Sequence, residues 1–186
     1  SLDYIITKKD INQTTIKTGE TCAHLAIIHG YQGILNLLCK MCSTILTCTD
    51  TIGNQAIHTA ILYNNAQALA LLIKQHDADK NNIYPLAQYA AEHADLVTNT
   101  IQLLYQYNPI IFDMKSNGDK SLWCIMLSSL GYNNIQKVNE DKYKSTLQEF
   151  YKQPWASTNT SVNDLRKKLE VTTTDEQPSS LKAPTL

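Results

Sequence analysis

Cysteine and histidine are the residues of this chain most able to do chemistry, and the closest pairing is Cys39-x-x-Cys42. Two cysteines at this spacing can supply half of a tetrahedral zinc site, with His24 and His29 upstream as further ligands. The sequence has no second pair at a matched spacing, however. Positions i and i+3 of a helix also share one face, which is what core packing requires. We therefore expect Cys39 and Cys42 to be packing residues, and we expect no metal site.

His24 and His58 are the candidate catalytic residues, because a histidine can activate a neighbouring nucleophile. Such a pair needs the base within hydrogen-bonding reach and a third group that orients it, and no spacing in the sequence indicates this arrangement. The sequence motifs of phosphate-binding loops, nucleophile elbows and zinc proteases are also missing. The sequence therefore predicts structural histidines in a protein with no catalytic residue and no cofactor.

The composition argues against several further classes of function. The chain has 186 residues, 43% of them hydrophobic, with 16 Lys+Arg against 17 Asp+Glu and a formal net charge of −1. A balanced charge gives no electrostatic reason to expect nucleic acid or an anionic membrane as the partner. No apolar run reaches the ~18 residues that a membrane-spanning helix needs. The odd number of cysteines, 5, does not fit a secreted disulfide scaffold. We expect a monomeric, cytoplasmic protein.

A motif with Gly, His and Ala in fixed places recurs along the chain and predicts how the cysteine and histidine side chains are positioned. It occurs twice, 34 residues apart, at 19–26 and 53–60. Two Leu-Leu pairs follow at the same interval, Leu37-Leu38 and Leu71-Leu72. Gly30 is matched after the same interval by Asn64, which tolerates the left-handed backbone that glycine also adopts.

Two weaker copies of the motif follow. The third contains Tyr84-Pro85-Leu86-Ala87 and a Leu-Leu pair at 103–104. The fourth begins at Gly118, and the spacing of apolar residues predicts helices over 122–130 and 140–151. Ile5-Ile6 stands where the Leu-Leu pair of a preceding copy would be, so we expect the chain to begin inside a repeat.

This pattern resembles the ankyrin repeat, which has a period of about 33 residues and a Thr-Pro-Leu-His-x-Ala core. The resemblance covers about residues 2–152 and implies an all-α solenoid of about four helix-turn-helix repeats, some degenerate, with a C-terminal extension. After a partial repeat at 1–15, the expected repeats are 16–49, 50–79, 80–112 and 113–153. Thr21 would cap a helix with His24 bonded to it, and the Leu-Leu pairs would fill the space between repeats.

The tail, residues 154–186, is rich in Ser, Thr and Pro. Its sequence predicts one short amphipathic helix over 162–171 and a loosely packed remainder from Thr172 onward. Trp155 is expected to pack on the last repeat as a C-terminal cap.

The resemblance implies that the chain binds another protein through the concave side, which loop fingers and first helices form. Carried over repeat by repeat, the partner-binding positions are Lys17, Thr18, Glu20, Ile28 and His29; Thr51, Ile52, Asn54, Leu62 and Tyr63; Lys80, Asn81, Ile83, Ala91 and Glu92; and Ser116, Asn117 and Asp119. Several of them are apolar, and together they would form the kind of patch that marks a protein interface. The alternative is that the tail or the fingers bury these side chains.

The biological context allows more than one interpretation. Degenerate repeats in a chain rich in Lys and Asn look like those of effectors that intracellular bacteria inject into host cells, and the segment 170–186 is similar to C-terminal signals for type IV secretion. This resemblance implies a host protein as the partner. An ordinary frayed tail fits segment 170–186 equally. A poxvirus-type or eukaryotic ankyrin protein fits the repeats. The alternative function is a targeting or substrate-recruiting fragment of a larger enzyme whose catalytic domain precedes Ser1.

Overall fold

The computed structural model describes residues 14–15, 17–75, 83–115, 120–132, 140–153 and 161–174. These residues form nine α-helices and two 3-10 segments, and no strand occurs among them. The helices are α1 (Cys22–Ile28), α2 (Gln32–Met41), α3 (Ala56–Leu62), α4 (Ala66–Gln75), α5 (Tyr84–Glu92), α6 (Thr98–Tyr107), α7 (Leu122–Ser129), α8 (Glu140–Tyr151) and α9 (Val162–Thr174). The 3-10 segments are Ser43–Leu46 and Pro109–Asp113.

The first eight helices pair into four helix-turn-helix units that stack in two layers. Helices α1, α3, α5 and α7 contact one another in chain order and form an inner layer, while α2, α4, α6 and α8 form an outer layer in the same way. Each inner helix also packs against the outer helix of its own unit. A single unit is too small to bury its own apolar side chains, so the stack supplies the core. The predicted all-α repeat solenoid is therefore confirmed.

Antiparallel bridges close the loops that precede the inner helices, and we call two of these loops finger A (14–21) and finger B (49–55). The bridges join Thr14 to Thr21 and Thr49 to Gln55, and a third bridge before α7 joins Lys115 to Ser121. The fingers bind each other, because the N–H and the hydroxyl of Thr51 both lie 3.0 Å from the carbonyl of Thr18. Gly19 is required here: its φ is +65°, and an added Cβ would lie 3.0 Å from the Thr51 nitrogen.

A histidine stabilises the start of each of the first two inner helices. The Nδ1 of His24 lies 3.1 Å from the Thr21 nitrogen and 2.8 Å from the Thr21 hydroxyl, as the motif predicts. Because Nδ1 accepts from the Thr21 N–H, Nε2 carries the proton and can donate to the Asn54 carbonyl, 3.0 Å away in the next unit. The Nδ1 of His58 accepts from the Gln55 N–H at 3.2 Å in the same manner. These contacts give both rings a structural role.

Asn64 joins the second unit to the third. It has the left-handed backbone expected from its match with Gly30, with φ of +51° against +69°. Its side-chain oxygen accepts hydrogen bonds from the N–H groups of Asn99 at 2.8 Å and Thr100 at 3.2 Å, in the first turn of α6. The residue that precedes α6 is Val97, which has no side-chain acceptor. The cap of this helix therefore comes from a neighbouring unit.

The Leu-Leu pairs pack differently from the expectation that both members fill the space between repeats. Leu38 is 5% exposed, but Leu37 is 51% exposed and forms an apolar stripe with Ile34 and Met41 along α2. Adjacent residues of a helix point about 100° apart, so only one member of a pair can face the core unless a second neighbour covers the other. Leu103-Leu104 meets that condition, since both of its side chains are buried.

The fourth unit and α9 close the stack. The indole N–H of Trp123 donates to Asp113 at 2.9 Å, and the same carboxylate oxygen lies 2.6 Å from the Lys144 ammonium. Helix α9 packs against α8 through Leu165 and Leu169, which are both fully buried. The described part of the tail therefore covers the end of the outer layer.

One expectation about the tail needs correction, and others concern positions outside the described residues. Thr172 was expected in a loosely packed segment, but α9 continues to Thr174 because helical hydrogen bonding extends beyond the amphipathic stretch. Trp155 and Gly118 lie outside the described residues, as does the boundary between the repeats expected at 50–79 and 80–112.

We expect Asn64→Gly to lower the free energy of unfolding by about 1 kcal/mol, because glycine accepts the left-handed backbone but removes the cap of α6. Asn64→Asp is the matched control, since it keeps both the acceptor oxygen and the backbone tolerance, and it should retain most of the stability. Urea titration followed by circular dichroism measures both variants. A glycine variant as stable as the wild type would show that the cap contributes nothing.

We expect Tyr151→Phe to leave stability unchanged or to raise it by up to about 1 kcal/mol. The Tyr151 side chain is fully buried in α8, and its hydroxyl has no hydrogen-bond partner in the part of the chain that the structure describes. The same burial raises the pKa of this phenol well above its usual range. Thermal unfolding tests the variant, with Tyr143→Phe as a second tyrosine of the same helix. Loss of more than 1 kcal/mol in Tyr151→Phe would contradict an unsatisfied hydroxyl.

Candidate protein-binding surface

Each inner helix packs one side against the core and leaves the other side open. In α7, Trp123, Met126 and Leu127 are buried, whereas Ile125 is half-buried and Ser128 is exposed. We call the open sides of α1, α3, α5 and α7, together with fingers A and B, the inner face. Contacts between successive inner helices make this face continuous across the four units.

Most of the predicted partner-binding residues reach solvent on the inner face. The exposed or half-exposed ones are Lys17, Thr18, Glu20, Ile28, His29, Thr51, Ile52, Asn54, Leu62, Tyr63 and Glu92. Lys80, Asn81, Ser116, Asn117 and Asp119 lie outside the described residues. Exposure is what contact with a partner requires, and the contact itself stays a prediction.

Ile83 and Ala91 were wrongly assigned to the partner surface, since both side chains are 0% exposed. Ile83 directly precedes α5, and its carbonyl accepts the hydrogen bond from Ala87 N–H at 2.9 Å that begins the helix. It therefore occupies the position directly before an inner helix that Thr21 and Gln55 hold in the earlier units, where its side chain is buried. Ala91 lies on the side of α5 that packs on the core.

The tip of finger B presents an isoleucine on a well-ordered turn. The Asp50 carboxylate accepts hydrogen bonds from the N–H of Ile52 at 2.9 Å and of Asn54 at 2.8 Å. The Asp50 carbonyl accepts a third from Gly53 at 3.1 Å, and Gly53 supplies the φ of +92° that the turn needs. The Ile52 side chain is 84% exposed at this tip.

Aromatic residues lie at the far ends of the first two inner helices. Tyr63 follows α3 directly and is 55% exposed. His29 holds the same position after α1, and its ring stacks on Tyr31 with the ring centres 5.7 Å apart. The inner face of the first two units therefore combines an apolar finger tip with exposed rings.

Asn54 connects three units at the centre of the inner face. Its carbonyl faces His24 of the first unit, and its side-chain oxygen accepts a hydrogen bond from the Tyr89 hydroxyl of the third unit at 3.1 Å. The Tyr89 ring in turn contacts the rings of His58 and His93, with centres 5.0 Å and 4.8 Å away. Although Asn54 was predicted as a contact residue, its carbonyl and its side-chain oxygen already bind within the stack.

Burial lowers the pKa of His58, and the nearby Asp50 carboxylate opposes this shift only in part. The neutral ring is the form that the structure uses, because a protonated Nδ1 could not accept from the Gln55 N–H. Its geometry is that of a helix cap.

Burial affects the chemistry of two thiols, one in α1 and one in α2. Burial raises the pKa of both the Cys22 and the Cys39 thiol, so both are protonated at neutral pH and are weak nucleophiles. Cys39 is 5% exposed and packs in the core. Across the described ranges, no group of three or more His, Cys, Asp or Glu side chains could hold a metal ion. None of the helices described is long and apolar enough to cross a membrane.

A groove along α7 was missed by the sequence analysis, which placed the contacts of the fourth unit in the loop at 116–119. Its cavity volume is about 270 Å³. It is lined by Glu92, Lys120, Cys124, Ile125, Ser128 and Ser129. Part of the signal was present in the sequence, since 124 and 128 are four residues apart in the predicted helix over 122–130 and share one helical face.

The geometry defines a class of protein: an all-α repeat solenoid with an open inner face. A family model for ankyrin repeats matches residues 1–84 in three copies, a stretch that includes α1 to α4. The match and the stacked helix pairs together define an ankyrin-repeat fold, and α5 to α8 continue the same packing beyond the matched residues. Ankyrin repeats are in general modules of protein–protein interaction. No curated protein and no solved structure showed significant similarity to the chain.

We expect His58→Ala to lower the free energy of unfolding by about 1–2 kcal/mol, the scale of a lost capping hydrogen bond and its packing. The lowered pKa also sets a pH dependence. In the unfolded chain the ring binds a proton below about pH 6.5, whereas the folded protein resists protonation, so stability falls as pH drops below 6.5.

Urea titrations at pH 7.5 and pH 5 measure how the free energy of unfolding depends on pH. The contribution of His58 is the difference between the wild type and His58→Gln. We expect the wild type to lose more stability between these values than the variant does. His29→Gln, at an exposed position, serves as the control substitution. Equal losses in wild type and His58→Gln would show that the His58 ring titrates as freely in the folded protein as in the unfolded chain.

Proposed function

We propose that this chain is a non-catalytic module that binds another protein through its inner face. The observation that carries the proposal is Ile52, a large apolar side chain that is 84% exposed at the tip of a turn held by three hydrogen bonds. An exposed isoleucine on a flexible loop would need no explanation, but a turn organised around one is suited to contact.

The order of finger B matters for affinity. A backbone turn that hydrogen bonds already hold loses little conformational freedom on binding, so more of the energy of burial appears as affinity. Tyr63 adds an aromatic side chain from the same unit, and tyrosine is among the residues that contribute most at protein interfaces. The net charge of −1 favours a protein partner over nucleic acid or a membrane, and we propose that the chain acts as a monomer in the cytoplasm.

The double variant Ile52→Asp/Tyr63→Ala tests the inner face. This variant should keep the wild-type unfolding temperature, because both side chains are exposed. Its affinity for a partner that the wild type captures should fall by about thirtyfold or more. The control is Leu37→Asp/Met41→Ala, which removes two apolar side chains of the outer layer that are each about half exposed. Affinity is measured by titration of the purified partner identified from lysate.

Two outcomes would contradict the proposed surface. The first is a control variant that loses the partner while the inner-face variant still binds it. The second is loss of binding on removal of residues 175–186, which leaves α9 on the stack but deletes the rest of the tail. Binding would then reside in the outer layer or in the tail.

The finer proposal is that the partner is a host protein and that the chain is a bacterial effector. The richness in Lys and Asn and the similarity of segment 170–186 to type IV secretion signals support it. Because α9 runs to Thr174, the part of that segment beyond the helix is 175–186. A reporter enzyme fused to residues 154–186 should enter host cells from a bacterium with a type IV system. A fusion that ends at Thr174 should remain in the bacterium. Equal export of the two fusions would contradict a secretion signal in residues 175–186.

A further inference from the structure

Finger B covers three groups of the first unit, and these contacts show how one loop of this protein binds another. The N–H and the hydroxyl of Thr51 both lie 3.0 Å from the Thr18 carbonyl. The methyl group of Thr51 would lie 3.1 Å from a Cβ added at Gly19, so it covers that glycine. The Asn54 carbonyl lies 3.0 Å from Nε2 of His24. Finger B therefore supplies a donor and, three residues later, an acceptor from one tight turn.

The second unit has the same three groups, and the described residues leave them uncovered. Ile52 corresponds to Thr18, because each directly precedes a glycine with positive φ, and no N–H or hydroxyl among the described residues donates to the Ile52 carbonyl. A Cβ added at Gly53 would meet no described atom within 4 Å. Because Nδ1 of His58 accepts from the Gln55 N–H, its Nε2 carries the proton, yet no described residue accepts a hydrogen bond from Nε2.

The chain provides fewer residues at this point than at the equivalent points of the stack. The connection from an outer helix to the next inner helix runs over 42–55 before α3 and over 108–121 before α7, but only over 76–83 before α5. This connection is six residues shorter than the other two. Finger B alone uses seven residues, 49–55, so the shortening is nearly the length of a whole finger.

Apolar and aromatic side chains border the open groups. The Ile52 side chain is 84% exposed beside its carbonyl, and the Tyr89 ring lies 5.0 Å from the half-buried His58 ring. A ligand that covers the open carbonyl and the open N–H would also bury part of these side chains, which adds to affinity. It would displace water from both polar groups, so a ligand that left either group unpaired would bind more weakly.

We propose that the second unit binds an exposed tight turn of the partner protein in the way that the first unit binds finger B. In this turn a Ser or Thr donates its N–H and hydroxyl to the Ile52 carbonyl, and the carbonyl three residues later accepts from Nε2 of His58. The residue before that carbonyl is glycine or asparagine, because its counterpart in finger B, Gly53, has a φ of +92°. This inference rests on the proposed function, since it names the partner element that one part of the inner face selects.

The probe that tests the site is a disulfide-cyclised peptide with the sequence of residues 49–55, since this turn already fits the equivalent groups of the first unit. The full chain is titrated with the peptide, and NMR follows the side-chain protons of the histidines. The Nε2 proton of His58 should become protected from exchange with water when the peptide binds, whereas that of His24 should be protected throughout. Equal protection of both in the free chain would overturn the proposal, because the site would then be filled by the chain itself. No binding at about 1 mM peptide would also overturn it.

Modified peptides and glycine variants locate the contact. N-methylation of Thr51 in the peptide removes the donor and should weaken binding about tenfold. N-methylation of Gln55, whose N–H makes no bond in the proposed complex, is the control and should leave the affinity unchanged. In the protein, Gly53→Ala should weaken binding about tenfold or more, because the added methyl group would take the place of the peptide's threonine. Gly30→Ala, at a φ of +69°, adds a similar backbone strain away from the site and should bind normally. Equal affinities within either pair would overturn the proposal.

Competition with the captured partner separates this inference from the proposed function. The cyclic peptide should displace the partner from the wild-type chain, and the form methylated at Thr51 should need about ten times the concentration. A partner that is lost with Ile52→Asp/Tyr63→Ala but is not displaced by the peptide would overturn the turn site and leave the inner-face proposal standing. A partner indifferent to both the double variant and the peptide would overturn both.

Discussion

The structure depends on one constraint: a pair of short helices cannot bury its own apolar surface and must share it with neighbouring pairs. The inner helices of the first two units have only 7 residues each, so few side chains hold them. Hydrogen bonds between units supplement this packing. His24 reaches the carbonyl of Asn54, Asn54 accepts from Tyr89, and Asn64 caps α6. Each of these side chains joins its own unit to a neighbouring one, and His24 also bonds to Thr21 within its own unit.

The same arrangement separates the side chains that form the core from those that face solvent. Every inner helix packs its apolar side against the outer layer and its neighbours, so the core depends on that side and on caps such as His58. The inner face can therefore hold an exposed isoleucine beside aromatic rings at one end and a charged groove at the other. The turn around Ile52 and the cap around His58 show how local hydrogen bonds keep that surface ordered.

The inner face changes in character along the stack. Its first two units present Ile52, Tyr63 and the stacked pair of His29 and Tyr31, which favour apolar contact. In its last two units, Glu92 and Lys120 are among the residues that line the groove along α7.

The sequence by itself determined the helical repeat, the structural role of His24 and His58, the left-handed backbone at Gly30 and Asn64, and the positions of α7 and α8, because these depend on local geometry and on spacing along the chain. The exposure of Leu37, the burial of Ile83 and Ala91, and the groove between Glu92 and Lys120 were decided only by the tertiary structure. Local patterns indicate which residues share a helical face. Whether that face meets a neighbour or solvent depends on how the units stack, and the third and fourth repeats are too degenerate for the sequence to set that register.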